Sequence, residues 1–527
     1  MVPRRLAAFP ALFLSALLGA QAASAAPFTW ASASDALSMD PQAANDVVSA
    51  SVQGVVYEPL VGFSRALEPE PVLATRWERV ADDRWRFHLR PGVRFSEGQP
   101  FTAADVVFTI SRGLSPTADT RQELTSIKEA VAVDDATVDI VTKGPDPILP
   151  RELNFVRIVS RSWAEAHDAV LPADMRARAE SYATRHSNGT GPYVLVTREP
   201  DSQTVFAPNP AWWNGKPALD RVTFRPLADD TTRVAALLSG AIDMTDAVPV
   251  QDVARIGNTA GFKIVKGPEL RTVFLGFDQS SPELAASSVK GRNPFGDVRV
   301  RRAFYRAIDM DAIASRVLRG YGRPVGTPVA PEVAGFSAEA DRRLPYDPAA
   351  ARALLAEAGY KDGFALGMDC PNNRYMSDAA VCQAVAAMLG RVGITVTLNT
   401  MPKAQFFPKL FAHQSSFWMF GWIPTTYDAM HVLINTTATR DGANNRGAFN
   451  HGGFSDPAVD ALITQAQVEF DPARRNALIG EALAKAADDV AWIPLYQQSL
   501  LWAAKRSVET VQTPDGVIQI KWVKVEE

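Results

Sequence analysis

Trp418, Phe420, Trp422 and Tyr427 stand with Asp428 in the short stretch WMFGWIPTTYD. Rings with a single carboxylate among them suit a core, a partner-binding face or the wall of a small-molecule site. In a small-molecule site the rings supply contact area and the acid supplies orientation. His431, three residues beyond Asp428, can share a helical face with it, but the six histidines are scattered and show no metal-ligand spacing. Signatures of covalent chemistry are missing: there is no GK[ST] phosphate loop, GxSxG elbow, HExxH or paired CxxC. GTGPYV, from Gly189, begins like a dinucleotide fingerprint but lacks the third glycine, carries Pro192 and runs into a strand, so it reads as a turn. Cys370 and Cys382 are the only two cysteines. In an oxidising compartment such a pair is a candidate disulfide, the alternative being two buried free thiols.

That compartment is indicated by the first residues. Arg4 and Arg5 precede an apolar run and then Ala23-Ser24-Ala25, the pattern of a cleavable secretory signal over residues 1–25, with the mature chain starting near Ala26. The run is too short to span a bilayer comfortably, and no cysteine stands at the cleavage point to carry a lipid. A 527-residue chain with 47% hydrophobic and 21% charged residues is globular and long enough for two or three domains. Its net charge of −4, more negative once the leader arginines are gone, argues against a nucleic-acid partner.

Element types alternate along the chain, as in a mixed α/β protein. Trp85, Phe87 and Leu89 alternate with Arg86 and His88, the period of a half-buried strand, and Val93 and Phe95 suggest a second short one. Thr102 with Asp105 predicts a capped helix carrying Val106, Val107 and Ile110. Val234, Leu237, Leu238 and Ile242 predict another that ends near Gly240. Asp297 is the expected N-cap of a helix with Val300, Phe304, Ala307 and Ile308 on one stripe. A short capped helix stops at Gly359. SDAAVCQAVAAMLGRVGITVTL then reads as helix, glycine turn and strand.

Taken in order, LRPGVRFSEGQPFTAAD (Leu89 to Asp105), GTGPY, WWNGKPALDRV, LLSGAIDM, DVRVRRAFYRAID (Asp297 to Asp309), Gly421-Trp422, FSDPAVDAL and Ile493 to Tyr496 run along nearly the whole mature chain. The set resembles the extracytoplasmic solute-binding proteins of the dipeptide, oligopeptide and nickel uptake family, served by ATP-driven importers. The resemblance implies the large two-lobed α/β periplasmic binding protein fold (type II), with an additional domain inserted in the first lobe. Lobe I would comprise residues 26–57, 189–270 and 494–527, the inserted domain 58–188, and lobe II 271–493. The bend would sit at the crossings near 270 and 493. Partners implied are a small or short-peptide ligand and an inner-membrane permease with cytoplasmic ATPases. A periplasmic location, a monomer and no cofactor are the expectations.

The resemblance also implies a site. In peptide-binding members the Gly-Trp at Gly421 and Trp422 lies at the lobe junction, its backbone pairing with the ligand, so Phe420, Trp422 and Tyr427 would be cleft walls. A zwitterionic ligand needs an acid for its ammonium and a guanidinium for its carboxylate, since an unpaired charge in a closed cleft costs several kcal/mol, order of magnitude. The position of the family's amine-binding aspartate is here Thr425. Asp428 is therefore the candidate for that contact, the alternative being a loop cap. Arg374 in CPNNRY, with Asn372 and Asn373 beside it, is the candidate for the carboxylate, the alternative being a solvated surface charge. Because some members take up nickel, His431 is a weak metal candidate. A short peptide or peptide-like amino-acid conjugate is the first expectation, with an opine, a glutathione-type ligand or a nickel chelate behind it. A secreted hydrolase or a chaperone role is the distant alternative.

Overall fold

The computed structural model describes residues 26–526, so the expected leader, residues 1–25, lies outside the described residues. The mixed α/β chain forms two lobes joined by one continuous sheet. Its strand order is Ile394–Met401, Phe364–Pro371, Phe417–Trp422, Phe262–Phe277, Ile493–Lys505, Met244–Thr245, Pro27–Ser32, Arg221–Pro226, Gln203–Pro208 and Tyr193–Glu199. Two long antiparallel strands, Phe262–Phe277 and Ile493–Lys505, belong to both halves. Their ladder is regular from Phe262↔Lys505 to Pro268↔Ser499, slips, and resumes at Thr272↔Gln497. Pro268 lacks the N–H a ladder requires, which accounts for the interruption at this point. The ladder is thus interrupted at residues 268–272 and 497–499.

A separate four-stranded sheet, ordered Ala74–Ala81, Arg84–Leu89, Thr137–Thr142 and Ile127–Asp134, forms the inserted unit. Helix Ala103–Gly113 packs on it, started as the sequence predicts: the Asp105 carboxylate accepts from Thr102 N–H at 2.9 Å. The expected strand at Val93 and Phe95 reduces to an isolated bridge, Arg94↔Pro100, because the turns on either side leave too few residues to pair. The apolar core of this unit runs from Leu60 to Ile158. Beyond it Ser160 caps a helix, Arg161–Ala166, whose Trp163 packs with Phe28, Tyr57 and Tyr193 in the first lobe.

In the second lobe the caps are where the sequence puts them. Asp297 starts Val298–Ala307 and Asp347 starts Pro348–Glu357. Gly393, at φ 95°, turns helix Asp378–Gly390 into strand Ile394–Met401, a conformation that suits only glycine without strain. Cys370 on its strand and Cys382 on that helix form a disulfide with Cα atoms 6.7 Å apart, both fully buried. No helix among the described residues is long and apolar enough to cross a membrane.

Candidate functional site

Strand Phe417–Trp422 carries the aromatic stretch to the lobe junction. On one edge it pairs with the long strand from Phe277↔Phe417 to Thr272↔Trp422. On the other it meets Phe364–Pro371 only at Asp369↔Trp418, so its last residues have no strand partner there. Tyr375 covers that edge: the Gly421 N–H donates to the Tyr375 hydroxyl at 2.8 Å. A β-carbon at Gly421 would stand 2.7 Å from the Tyr375 ring, which is why glycine occupies this point. The amide expected to pair with ligand backbone is therefore already engaged. Tyr375 is itself fixed by Asp378, whose carboxylate accepts from the N–H groups of Arg374 at 2.8 Å and Tyr375 at 3.1 Å.

The ring stretch straddles the junction rather than lining it evenly. Phe420 is only 4% exposed and packs against Phe274 and Phe407, so it backs the wall instead of facing a ligand. The reason is that this strand is central and covered on both faces until its final residue. Trp422, at that end, is half-buried. Its indole N–H donates to His431 Nδ1 at 3.1 Å, and its ring lies against Phe449 with centroids 4.7 Å apart. Thr425 is also half-buried. It meets His431 Nε2 at 3.1 Å and donates to Glu123 Oε2, on the inserted unit, at 2.7 Å.

Tyr427 crosses to the opposite side. Its ring packs against Phe63 and Phe155 at 4.6 and 5.9 Å, and its hydroxyl bonds to Asp515. It fastens the two sides together and is buried, so it is not a free cleft wall. Tyr427 has φ 54°, and after it the chain turns back into the second lobe. Asp428 consequently points inward. Its carboxylate is capped on both oxygens by Arg475 at 2.7 and 2.8 Å, accepts from Met430 N–H at 2.9 Å, and is 1% exposed. Asp428 is thus a helix cap with its charge already paired, the alternative the sequence offered for it. The Phe470 ring seats beneath Arg79 of the inserted unit at 3.9 Å, so the second lobe touches that unit.

The predicted CPNNRY segment divides. Asn373 Oδ1 accepts from Lys403 N–H at 2.8 Å, which ties it to the start of helix Lys403–Phe411. The Asn372 backbone N–H donates to Met401 at 3.0 Å, and its side chain is exposed. Arg374 lies over the Tyr375 ring at 5.5 Å, where Arg271 approaches the same ring at 5.9 Å. Surrounding protein and then the Arg271 charge both pull the Arg374 guanidinium below its ordinary range. Arg271 is held by Glu269 at 3.1 Å, and Glu269 accepts from Gln498 at 2.7 Å. Two guanidiniums therefore flank one ring at the strand crossing.

His431 has both nitrogens occupied, with burial pushing it down to about 4 and so keeping it neutral. No group of three metal-type ligands occurs among the described residues. Residue patterns did not identify Glu123, Arg271 or Tyr375. Only Tyr375 had a sequence signal, its adjacency to Arg374.

The family profile described as "Bacterial extracellular solute-binding proteins, family 5 Middle" matches residues 68–444. Among curated proteins, the "Glutathione-binding protein GsiB" of Salmonella typhi is 29% identical over 483 residues, covering 89% of this chain and 88% of its own. That of Escherichia coli O157:H7 is 28% identical over 509 residues, covering 94% and 93%. Among solved structures, HbpA2 from Haemophilus parasuis superposes with TM-score 0.81 at 24% identity, over 95% of this chain and 100% of its own. The periplasmic binding protein DppA from Helicobacter pylori, solved with the peptide STSA, gives 0.76 at 23%, over 95% and 98%. These structural likenesses establish the shared two-lobed fold.

Proposed function

The chain belongs to the bacterial extracellular solute-binding proteins, family 5, and from that premise we propose that it carries a short peptide or peptide-like amino-acid conjugate to an importer. Its place is outside the cytoplasm, and the matched relatives are binding proteins rather than enzymes. The reading takes the periplasm as the compartment and an inner-membrane ATP-driven permease as the partner. The observation that carries it is the pair Arg271 and Arg374 over Tyr375, beside the half-buried Trp422 at the crossing between lobes. Arg271 is already paired with Glu269, whereas the exposed Arg374 guanidinium has no acid beside it among the described residues, so it is the charge left for a ligand carboxylate. A carboxylate about 4 Å away is worth about 4 kcal/mol per charge pair at an effective dielectric near 20. The Trp422 and Phe449 rings offer the apolar area that side chains of such a ligand would cover.

Within this class a glutathione-type conjugate is the preferred member, because the relatives at 28–29% identity carry that ligand in their names. Binding favours the closed arrangement by the difference in affinity between closed and open states, and a permease that recognises the closed form would respond to it. Titration calorimetry of purified protein with glutathione and a set of dipeptides tests the reading, beside mass spectrometry of whatever co-purifies. Saturable one-to-one binding is expected, weakened on the order of 10- to 100-fold by Arg374→Gln, which removes a charge-assisted contact. A tightly retained ligand without any carboxylate would overturn it.

A further inference from the structure

With Asp428 paired internally, the acid for a ligand's ammonium has to come from elsewhere, and one carboxylate at the junction is suitably placed. Glu123 lies in the short turn Asp119–Leu124 of the inserted unit, half-buried and opposite the aromatic stretch. One of its oxygens accepts from Asn45 Nδ2 at 3.4 Å, and the other accepts from Thr425 at 2.7 Å.

The direction of the hydrogen bonds around it can be read off. Trp422 Nε1 can only donate, so His431 Nδ1 is an acceptor and the neutral ring carries its hydrogen on Nε2. That N–H donates to Thr425 Oγ1, which leaves the Thr425 hydroxyl hydrogen for Glu123. The Thr425 hydroxyl and the Asn45 amide are thus the donors on this side chain, and both are neutral. Its charged neighbour is another acid, Asp119, which lies 3.8 Å from Arg176. Burial first, and Asp119 as well, push the Glu123 carboxyl above its usual range. A half-buried acid aimed at the junction, with neutral donors and an acidic neighbour around it, has no cationic partner among the described residues.

We propose that Glu123 is the residue that receives the ammonium group of the ligand, so that recognition of a free amine comes from the inserted unit. This rests on the peptide-like reading above. In the proposed complex the ammonium sits beside the Glu123–Thr425 hydrogen bond, donating to the Glu123 carboxylate and to the Thr425 hydroxyl oxygen. The carboxylate end then lies toward Arg271 and Arg374. One bound zwitterion would touch both sides of the junction, so its charge bears on closure as well as on affinity.

The test uses two probe pairs, each differing only at the amine: glutathione against N-acetylglutathione, and alanyl-leucine against N-acetyl-alanyl-leucine. Calorimetry on the wild type should give a preference for the free amine on the order of 10- to 100-fold, the range of a partly buried charge-assisted hydrogen bond. Glu123→Gln keeps shape and polarity and should reduce that preference to about threefold or less. Glu123→Asp, which keeps the charge on a shorter arm, should fall between. Thr425→Asp added to Glu123→Gln should restore the preference from the other side of the junction. Circular dichroism and the melting temperature of each variant establish folding independently of binding. A Glu123→Gln protein that keeps the full preference overturns the assignment while leaving the peptide-like reading intact. A wild type that binds neither pair overturns both.

Discussion

Removing Arg475 separates a structural acid from a ligand-binding one. Asp428 and Arg475 are 1% and 8% exposed at their side chains, and the guanidinium grips both carboxylate oxygens. Arg475→Ala would leave a carboxylate in the second lobe with the Met430 N–H as its remaining partner, a loss of about 3–5 kcal/mol for breaking a buried pair. Asp428→Ala would cost a similar amount, because it strands the guanidinium, whose Nε already has no partner, and removes a helix cap worth ~1 kcal/mol. The double variant should fall well short of the sum, since no charge is left unpaired, giving a coupling of about 1–3 kcal/mol. Urea unfolding followed by tryptophan fluorescence reads these differences, and calorimetry on the folded fraction reads binding. Unchanged stability with abolished binding in Asp428→Ala would refute the reasoning and return that acid to the ligand.

Gly421→Ala should cost about 1–3 kcal/mol, because the new methyl meets the Tyr375 ring at 2.7 Å; the double variant with Tyr375→Ala should be no less stable than Tyr375→Ala alone, as denaturation midpoints will show. His431 contributes a pH-dependent term whose sign follows from its depressed value, about 4 against an ordinary 6.5. The unfolded chain binds the extra proton between those values, so stability from this residue is complete above about pH 6.5 and falls by about 3 kcal/mol as pH drops through 4. The wild-type minus His431→Gln stability difference should therefore shrink on acidification, and a flat difference would contradict a buried neutral ring. Cys370→Ser should lower stability by about 3 kcal/mol, the scale for closing a loop of this length. The native wild type should show no titratable thiol until unfolded in the presence of reductant, because the two sulfurs are bonded to each other and buried.

What the sequence made legible was local. Asp297, Asp347 and the Thr102–Asp105 pair sit within a few residues of the helices they start, so a short window contains both partners. The ordered motifs likewise pointed to Gly421-Trp422, which the structure sets beside Thr272 on the long strand. The site itself depends on pairings across great chain distance: Thr425 meets Glu123 from 302 positions away, Tyr375 reaches Gly421 over 46, and Arg475 takes Asp428 over 47. Nothing in a residue's neighbours announces such a partner, and Asp428 looked free for that reason. For Phe420 the reason differs, since a strand covered on both faces gives no alternation from which inward and outward rings could be told apart.

The ladder slip between Pro268 and Thr272 has a mechanical corollary. Both lobes hang on the same two strands, so rotation of one against the other concentrates its torsional change in the few residues without regular pairing. Glu269 and Arg271 are among those residues, and Gln497 and Gln498 face them on the returning strand. The interrupted ladder and the arginine proposed to face the ligand's negative group are thus one short piece of chain, so on that proposal the guest would grip the axle of the motion rather than a jaw.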